Sequence, residues 1–140
     1  MMAVAGATSY SDRAQTGTLV LSSIFDGGLK GGPIPESVCE LSDLKTLNAR
    51  NIGLTGVPEC IGQLSNLNKL IIDGNAMTEL PDIFDSLTNL TTVDISDNQL
   101  TTLPGSFYGL KLKKLTISGN NLSKDIMDKL ASSMPDCKIK

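Results

Sequence analysis

The chain has no histidine. That removes the residue most used as a general base near neutral pH, the base of Ser–His and Cys–His nucleophile pairs, and the commonest zinc ligand. Tryptophan is absent too, and there are only two tyrosines and three phenylalanines, so the usual anchors of a protein interface are scarce. No apolar run is long enough to cross a bilayer as a helix. Gly27-Gly28 and Gly31-Gly32 lack the Gly-Lys-Ser/Thr ending of a phosphate loop. The carboxylates stand singly. Asp73, Asp94 and Asp97 could approach one another across turns, but solvated surface acids are the expectation over a calcium site, and no metal or cofactor is expected. With a net charge of −3 and few aromatics outside the core, nucleic acid is not an expected ligand.

What is present is a repeat. Leu41–Gln63, Leu64–Ser86 and Leu87–Gly109 align without a gap at a period of 23 residues. The second of these reads Leu64-x-x-Leu67-x-x-Leu70-x-Ile72-x-x-Asn75-x-Met77-x-x-Leu80-Pro81-x-x-Phe84. The third reads Leu87-x-x-Leu90-x-x-Val93-x-Ile95-x-x-Asn98-x-Leu100-x-x-Leu103-Pro104-x-x-Phe107. The unit before them carries Ile52 where these have Asn75 and Asn98, and a unit one residue short continues from Leu110 through Asn120 and Leu122. A fixed period of this length means a solenoid, whose units bury their apolar faces only against one another.

Each recurring residue type has a physical task. The pair Leu70 and Ile72, alternating with outward positions, predicts a short strand, and stacked units predict a parallel sheet. Leu70, Ile72, Val93, Ile95, Leu115 and Ile117 are expected inside. Asn75, Asn98 and Asn120 sit where the chain leaves the strand. Their amides both donate and accept, so they are expected to form a ladder of bonds to buried backbone. Ile52 cannot do this, so its turn must be satisfied otherwise or be wetter. Phe84 and Phe107 fill the wide outer part of the core.

These residues resemble the leucine-rich repeat family, from about Leu19 to Ile139. The best units are similar to its typical 23-residue subtype, while Pro33-Ile34-Pro35 and Leu54-Thr55-Gly56-Val57-Pro58 resemble the Leu-x-Gly-x-Ile-Pro signature of plant-type repeats. The resemblance implies an α/β fold, a right-handed solenoid with a parallel concave sheet and a short C-terminal capping helix. The Cys-rich N-terminal cap common among secreted members is not visible. The closing run Met134–Ile139 resembles that of microbial members.

The expected organisation is an N-terminal arm over 1–17, small and polar without signal-peptide character, then a repeat domain of about five units over 18–140 with its cap at 123–140. Leu19, Leu21, Ile24 and Leu29 thread the first unit in two registers, with Leu19–Ile24 as N-terminal cover if the arm is loose. Ser123 is expected to cap a helix over Lys124–Ser133, with Asp125 in its first turn and Ile126, Met127 and Leu130 inward. Cys137 and Ile139 follow as a last strand. Cys39, Cys60 and Cys137 occupy non-equivalent repeat positions. Free thiols in a reducing, cytoplasmic setting are therefore the expectation, and a Cys39–Cys60 bridge, though geometrically open, is not. The glycosylation sequons Asn89-Leu90-Thr91 and Asn121-Leu122-Ser123 are ascribed to the repeat consensus itself.

Charge is uneven along the chain: residues 1–110 hold 5 Lys/Arg and 12 Asp/Glu, residues 111–140 hold 7 Lys and 3 Asp. Lysines that protect the exposed last strand explain this simply. The alternative is that Lys111, Lys113, Lys114 and the cap lysines meet an acidic partner or another copy. Strand alternation predicts three outward columns: Thr46, Lys69, Thr92, Lys114; then Asn48, Ile71, Asp94, Thr116; then Arg50, Asp73, Ser96, Ser118. Ile71, ringed by Arg50, Lys69, Asp73 and Asp94, is the expected partner-binding patch, with Tyr108 and Phe25 as other contact candidates. The function expected is non-catalytic binding of a protein partner on the concave face by a monomer. The alternative is a structural or self-associating unit, or an accessory part of a larger protein.

Overall fold

A computed structural model describes residues 17–21 and 32–140. The expected arm over 1–17, all but Gly17, and Ile24, Phe25 and Leu29 lie outside the described residues. Six short strands form one parallel sheet in chain order: β1 (Thr18–Val20), β2 (Thr46–Asn48), β3 (Lys69–Ile71), β4 (Thr92–Asp94), β5 (Lys114–Thr116) and β6 (Lys138–Ile139). The register joins like to like, Leu19 to Leu47 to Leu70 to Val93 to Leu115. This fixes the first unit: Leu19 takes the central core position, and Thr18 and Val20 extend the outward columns by one strand. All six side chains expected inside are buried.

The return segments run through short 3-10 turns at Glu36–Glu40, Glu59–Gln63, Phe84–Ser86 and Gly105–Gly109. Pro35, Pro58 and Pro104 precede three of them in extended geometry, which their rings favour. Phe84 and Phe107 meet edge to face behind the sheet, ring centres 5.1 Å apart, an arrangement that suits the ring quadrupoles. Where the plant-type segments lie side by side, Pro33 and Gly56 form an isolated parallel bridge.

The asparagine ladder is present. Asn75 accepts from the Ile52 and Leu54 amides at 3.1 and 3.0 Å and donates to the Ala49 and Ile72 carbonyls at 2.8 and 2.9 Å. Asn98 accepts from Met77 and donates to Ile72, Ile95 and Ser96. Asn120 accepts from Leu100 and donates to Ile95 and Ile117. Each amide thus serves the turn of the unit before it as well as its own. That is how the turn at Ile52 is satisfied: Asn75, one unit later, reaches back to it, and Ile52 itself is buried.

A second periodic requirement stands just before the ladder. Asn51, Gly74, Asp97 and Gly119 share one repeat position and all have left-handed φ, between 54° and 77°. Glycine adopts this freely, and Asn and Asp are the side chains that tolerate it best. The side chains alternate. A Cβ built on Gly74 would collide with Asn51 Oδ1, and one on Gly119 with Asp97 Oδ1.

Free thiols at Cys39 and Cys60 are the expectation the structure overturns: the two form a disulfide between adjacent 3-10 turns, Cα atoms 5.7 Å apart. The unequal repeat positions misled because the contact is diagonal. Cys39 is the fourth residue of its turn and Cys60 the second of the next. Cys137 is a free thiol, and partial burial raises its pKa.

The C-terminal cover forms as expected. The helix α1 (Lys124–Ser133) begins at Ser123, whose hydroxyl accepts from the Ile126 amide at 3.3 Å. Leu130 is fully buried, Ile126 and Met127 partly so, and β6 then pairs with β5. Lys129 Nζ lies 4.2 Å from the Tyr108 ring centre, tying the helix to the last 3-10 turn. Tyr108 thereby has a packing role, which weakens its standing as an outward contact.

Candidate functional site

The outward columns of the sheet are the site. The first row runs Thr18, Thr46, Lys69, Thr92, Lys114, Lys138, in register across all six strands. The second runs Val20, Asn48, Ile71, Asp94, Thr116. Arg50, Asp73, Ser96 and Ser118 lie beyond the strand ends.

The five expected contact residues are neighbours, but not equally available. Lys69 is exposed and Ile71 half-buried on the outer face. Asp73, expected in the open, is 9% exposed. Its carboxylate accepts from Arg50 Nε at 2.9 Å and Nη2 at 3.3 Å. That two-point pairing raises the Arg50 pKa, through the hydrogen bond first and the Asp73 charge second. Ser96 is also buried. Two members of the third column, Asp73 and Ser96, therefore fold down onto the turn, while Arg50 and Ser118 stay exposed. Asp94 is half-buried, and its Oδ1 accepts from the Ser96 hydroxyl at 2.6 Å and amide at 3.1 Å.

One contributor was missed. Val20 is 48% exposed, the most open large apolar side chain among the described residues. It flanks Asn48 opposite Ile71, so the apolar ground of the patch extends toward β1. The signal for it lay in the sequence, but only one of the two registers of the first unit puts it in that row.

Charge is polar across the sheet as well as along the solenoid. Lys45, Lys69, Lys111, Lys113, Lys114 and Lys138 cluster at or just before the strand starts, against Asp43 and Asp136. The strand ends carry Asp73, Asp94 and Asp97 against Arg50 and Lys140. Beside the strand starts lies a polar groove of about 670 Å³, lined by Lys45, Asn66, Asn68, Asn89, Thr91 and Lys111 among others. Its asparagines hold one another's units: Asn66 donates to the Ser42 carbonyl, Asn89 to Ser65 and Asn68 to Asn89. The sequon residue Asn89 therefore has a structural role, as does Ser123 of the second sequon.

No described helix is long and apolar enough to cross a membrane. No curated protein sequence matches the chain. Residues 65–122 match the family model for the leucine rich repeat. Among solved structures, a leucine-rich-repeat protein of Leptospira interrogans is 32% identical with a TM-score of 0.73, over 76% of this chain and 28% of that one. The LRIM1/APL1C complex gives 25% identity and a TM-score of 0.61, over 71% of this chain and 20% of that chain. Human 5T4, a trophoblast glycoprotein, shares the fold at 19% identity and a TM-score of 0.58, over 83% of this chain and 44% of its own. The chain thus spans less than half of each of these neighbours. Period, asparagine ladder, parallel sheet and these matches together identify the chain as a leucine-rich-repeat protein.

Proposed function

We propose that the chain is a non-catalytic module that binds a protein partner on the concave sheet, around Ile71. The observation that carries this is the second row. Val20 and Ile71 present apolar surface on a sheet face whose neighbours are polar, while the core is filled from the other side. That is a small apolar centre with a polar surround, as in protein interfaces. Lys69 and Asp94 border the patch. Arg50 and Asp73, bonded to each other, form its fixed rim rather than two separate contacts. The resemblance to one member of the LRIM1/APL1C complex is consistent with a protein partner. The test is affinity capture with parent, Ile71→Asp and Lys69→Glu proteins, scored by quantitative mass spectrometry. Loss of the same prey by both variants, with melting temperature kept, is expected. Equal capture by all three removes the concave face.

The disulfide favours a second conclusion, on location. The cytoplasmic expectation leaned on three free thiols, and Cys39–Cys60 withdraws that support. We propose that the chain matures in an oxidising compartment, where such bridges persist. Thiol alkylation of protein taken directly from its source is the check. One reactive cysteine is expected, and three would return the chain to a reducing compartment.

A further inference from the structure

The two sides of the concave sheet differ in how their charges are used. On the strand-end side Asp73 is engaged by Arg50 and Asp94 by Ser96, while Asp97 stands exposed past the end of β4. On the strand-start side Lys69, Lys114 and Lys138 stand exposed in one registered row, and no described carboxylate pairs with them. Thr18, Thr46 and Thr92 complete this row, adding hydroxyls able to bond a backbone. Two residues along the strands, Val20 and Ile71 flank Asn48 on the same face. The face therefore offers unpaired cations and a short apolar slot, and the two anions beside the slot, Asp73 and Asp94, are engaged internally.

We propose that the partner engages this face through an extended acidic polypeptide segment, laid across the strands along the lysine row, with one apolar side chain seated between Val20 and Ile71. This rests on the concave-face function above and names its partner's chemistry. The spacing fits. Neighbouring strands are ~4.8 Å apart, so Lys69 to Lys138 spans ~14 Å. An extended segment rises ~3.4 Å per residue with same-side groups ~6.8 Å apart, so acidic residues at alternate positions over about five residues reach all three lysines. The segment then crosses toward β2, where the slot takes its apolar residue. Opposite charge speeds encounter and sets orientation, and the slot supplies discrimination among anions.

The test is fluorescence anisotropy with a labelled peptide of alternating glutamate ending in leucine, titrated with the whole chain at low and high salt. The parent binds it, and salt weakens binding. The Lys69→Glu/Lys114→Glu protein loses about tenfold or more, and the Lys69→Gln/Lys114→Gln protein also loses affinity, so new repulsion is not the cause. Lys124→Glu/Lys129→Glu, of equal net charge but on α1, keeps it. Replacing the peptide's leucine by serine, or Ile71 by Asp, weakens binding further. Equal binding by the row and helix variants overturns the proposal. So does a sulfated oligosaccharide that binds as well as the peptide, with the leucine making no difference, since that is an anion site without polypeptide recognition. If the parent ignores the peptide while Ile71→Asp still abolishes partner capture, the acidic segment fails and the concave face stands. If capture survives Ile71→Asp as well, both fail.

Discussion

Asn98 uses both ends of its amide on backbone that water cannot reach. Replacing it by alanine leaves the Met77 amide without its partner, at a cost on the order of 1–3 kcal/mol, and takes one of two side-chain donors from the Ile72 and Ile95 carbonyls, which keep Asn75 and Asn120. Asn120 makes the same kind of bonds at a half-exposed position, so water replaces them more easily. Asn98→Ala should therefore lower the urea midpoint clearly more than Asn120→Ala, and equal losses would contradict the role of burial. The left-handed position makes a second residue-scale claim. Gly74→Ala forces φ +70° on a side chain and pushes Asn51 aside, costing on the order of 1–2 kcal/mol. Gly56→Ala is the control. It meets nothing closer than 4.0 Å at an ordinary φ and is expected to be neutral or slightly stabilising by thermal melt. The ladder was legible in the sequence because asparagine recurs unchanged. The left-handed position was not, because three residue types serve it and only their shared backbone tolerance unites them.

At the scale of elements, the strands, the helix and its serine cap followed from periodicity and capping chemistry. Val93→Ala, at a fully buried strand position, is expected to cost on the order of 1–3 kcal/mol by urea titration, from lost burial and a cavity. A negligible loss there would mean the register is wrong. The 3-10 turns left a fainter trace, a proline at the start and no fixed composition after it, and the disulfide hid behind them. It closes a loop with a sequence separation of 21, for which the chain-entropy model gives roughly 3 kcal/mol. Reductant should lower the urea midpoint by a corresponding amount. It should do nothing further to a Cys39→Ser/Cys60→Ser protein, in which Cys137 remains as the internal control. Asp82, Phe84 and Ser106 show how neighbouring returns are laced where the repeat consensus is silent. Asp82 accepts from the Ser106 amide, and Ser106 accepts from the Phe84 amide, each at 3.0 Å. Hydrogen bonding from Ser106, its side chain first and its amide second, holds the Asp82 pKa below its usual value. A depressed carboxylate stabilises above its unfolded pKa and ceases to as pH falls through the folded one. Asp82→Asn should thus lower stability at neutral pH and leave it unchanged below the carboxylate range.

Over the whole molecule, the acidic-to-basic gradient along the axis was visible as a count along the chain. The gradient across the sheet was only partly so: alternation already put Lys69 and Lys114 in one column, and the register of β5 with β6 adds Lys138. The same holds for the candidate patch: the outward columns followed from alternation, but the Arg50–Asp73 pairing and the burial of Asp73 depend on how the chain bends after each strand. If opposed charges drove copies together, size-exclusion mass would fall as salt rises; the monomer expected here elutes alike at both. The alternating side chains at Asn51, Gly74, Asp97 and Gly119 carry a consequence for lengthening the array. Copying Leu87–Gly109 directly after itself would set a second aspartate in the space that Asp97 occupies over Gly119. Copying Leu64–Ser86 would set glycine beside glycine and leave that space empty. Only a tandem of both preserves the interlock, so the array has a parity: it should grow or shrink by two units at a time.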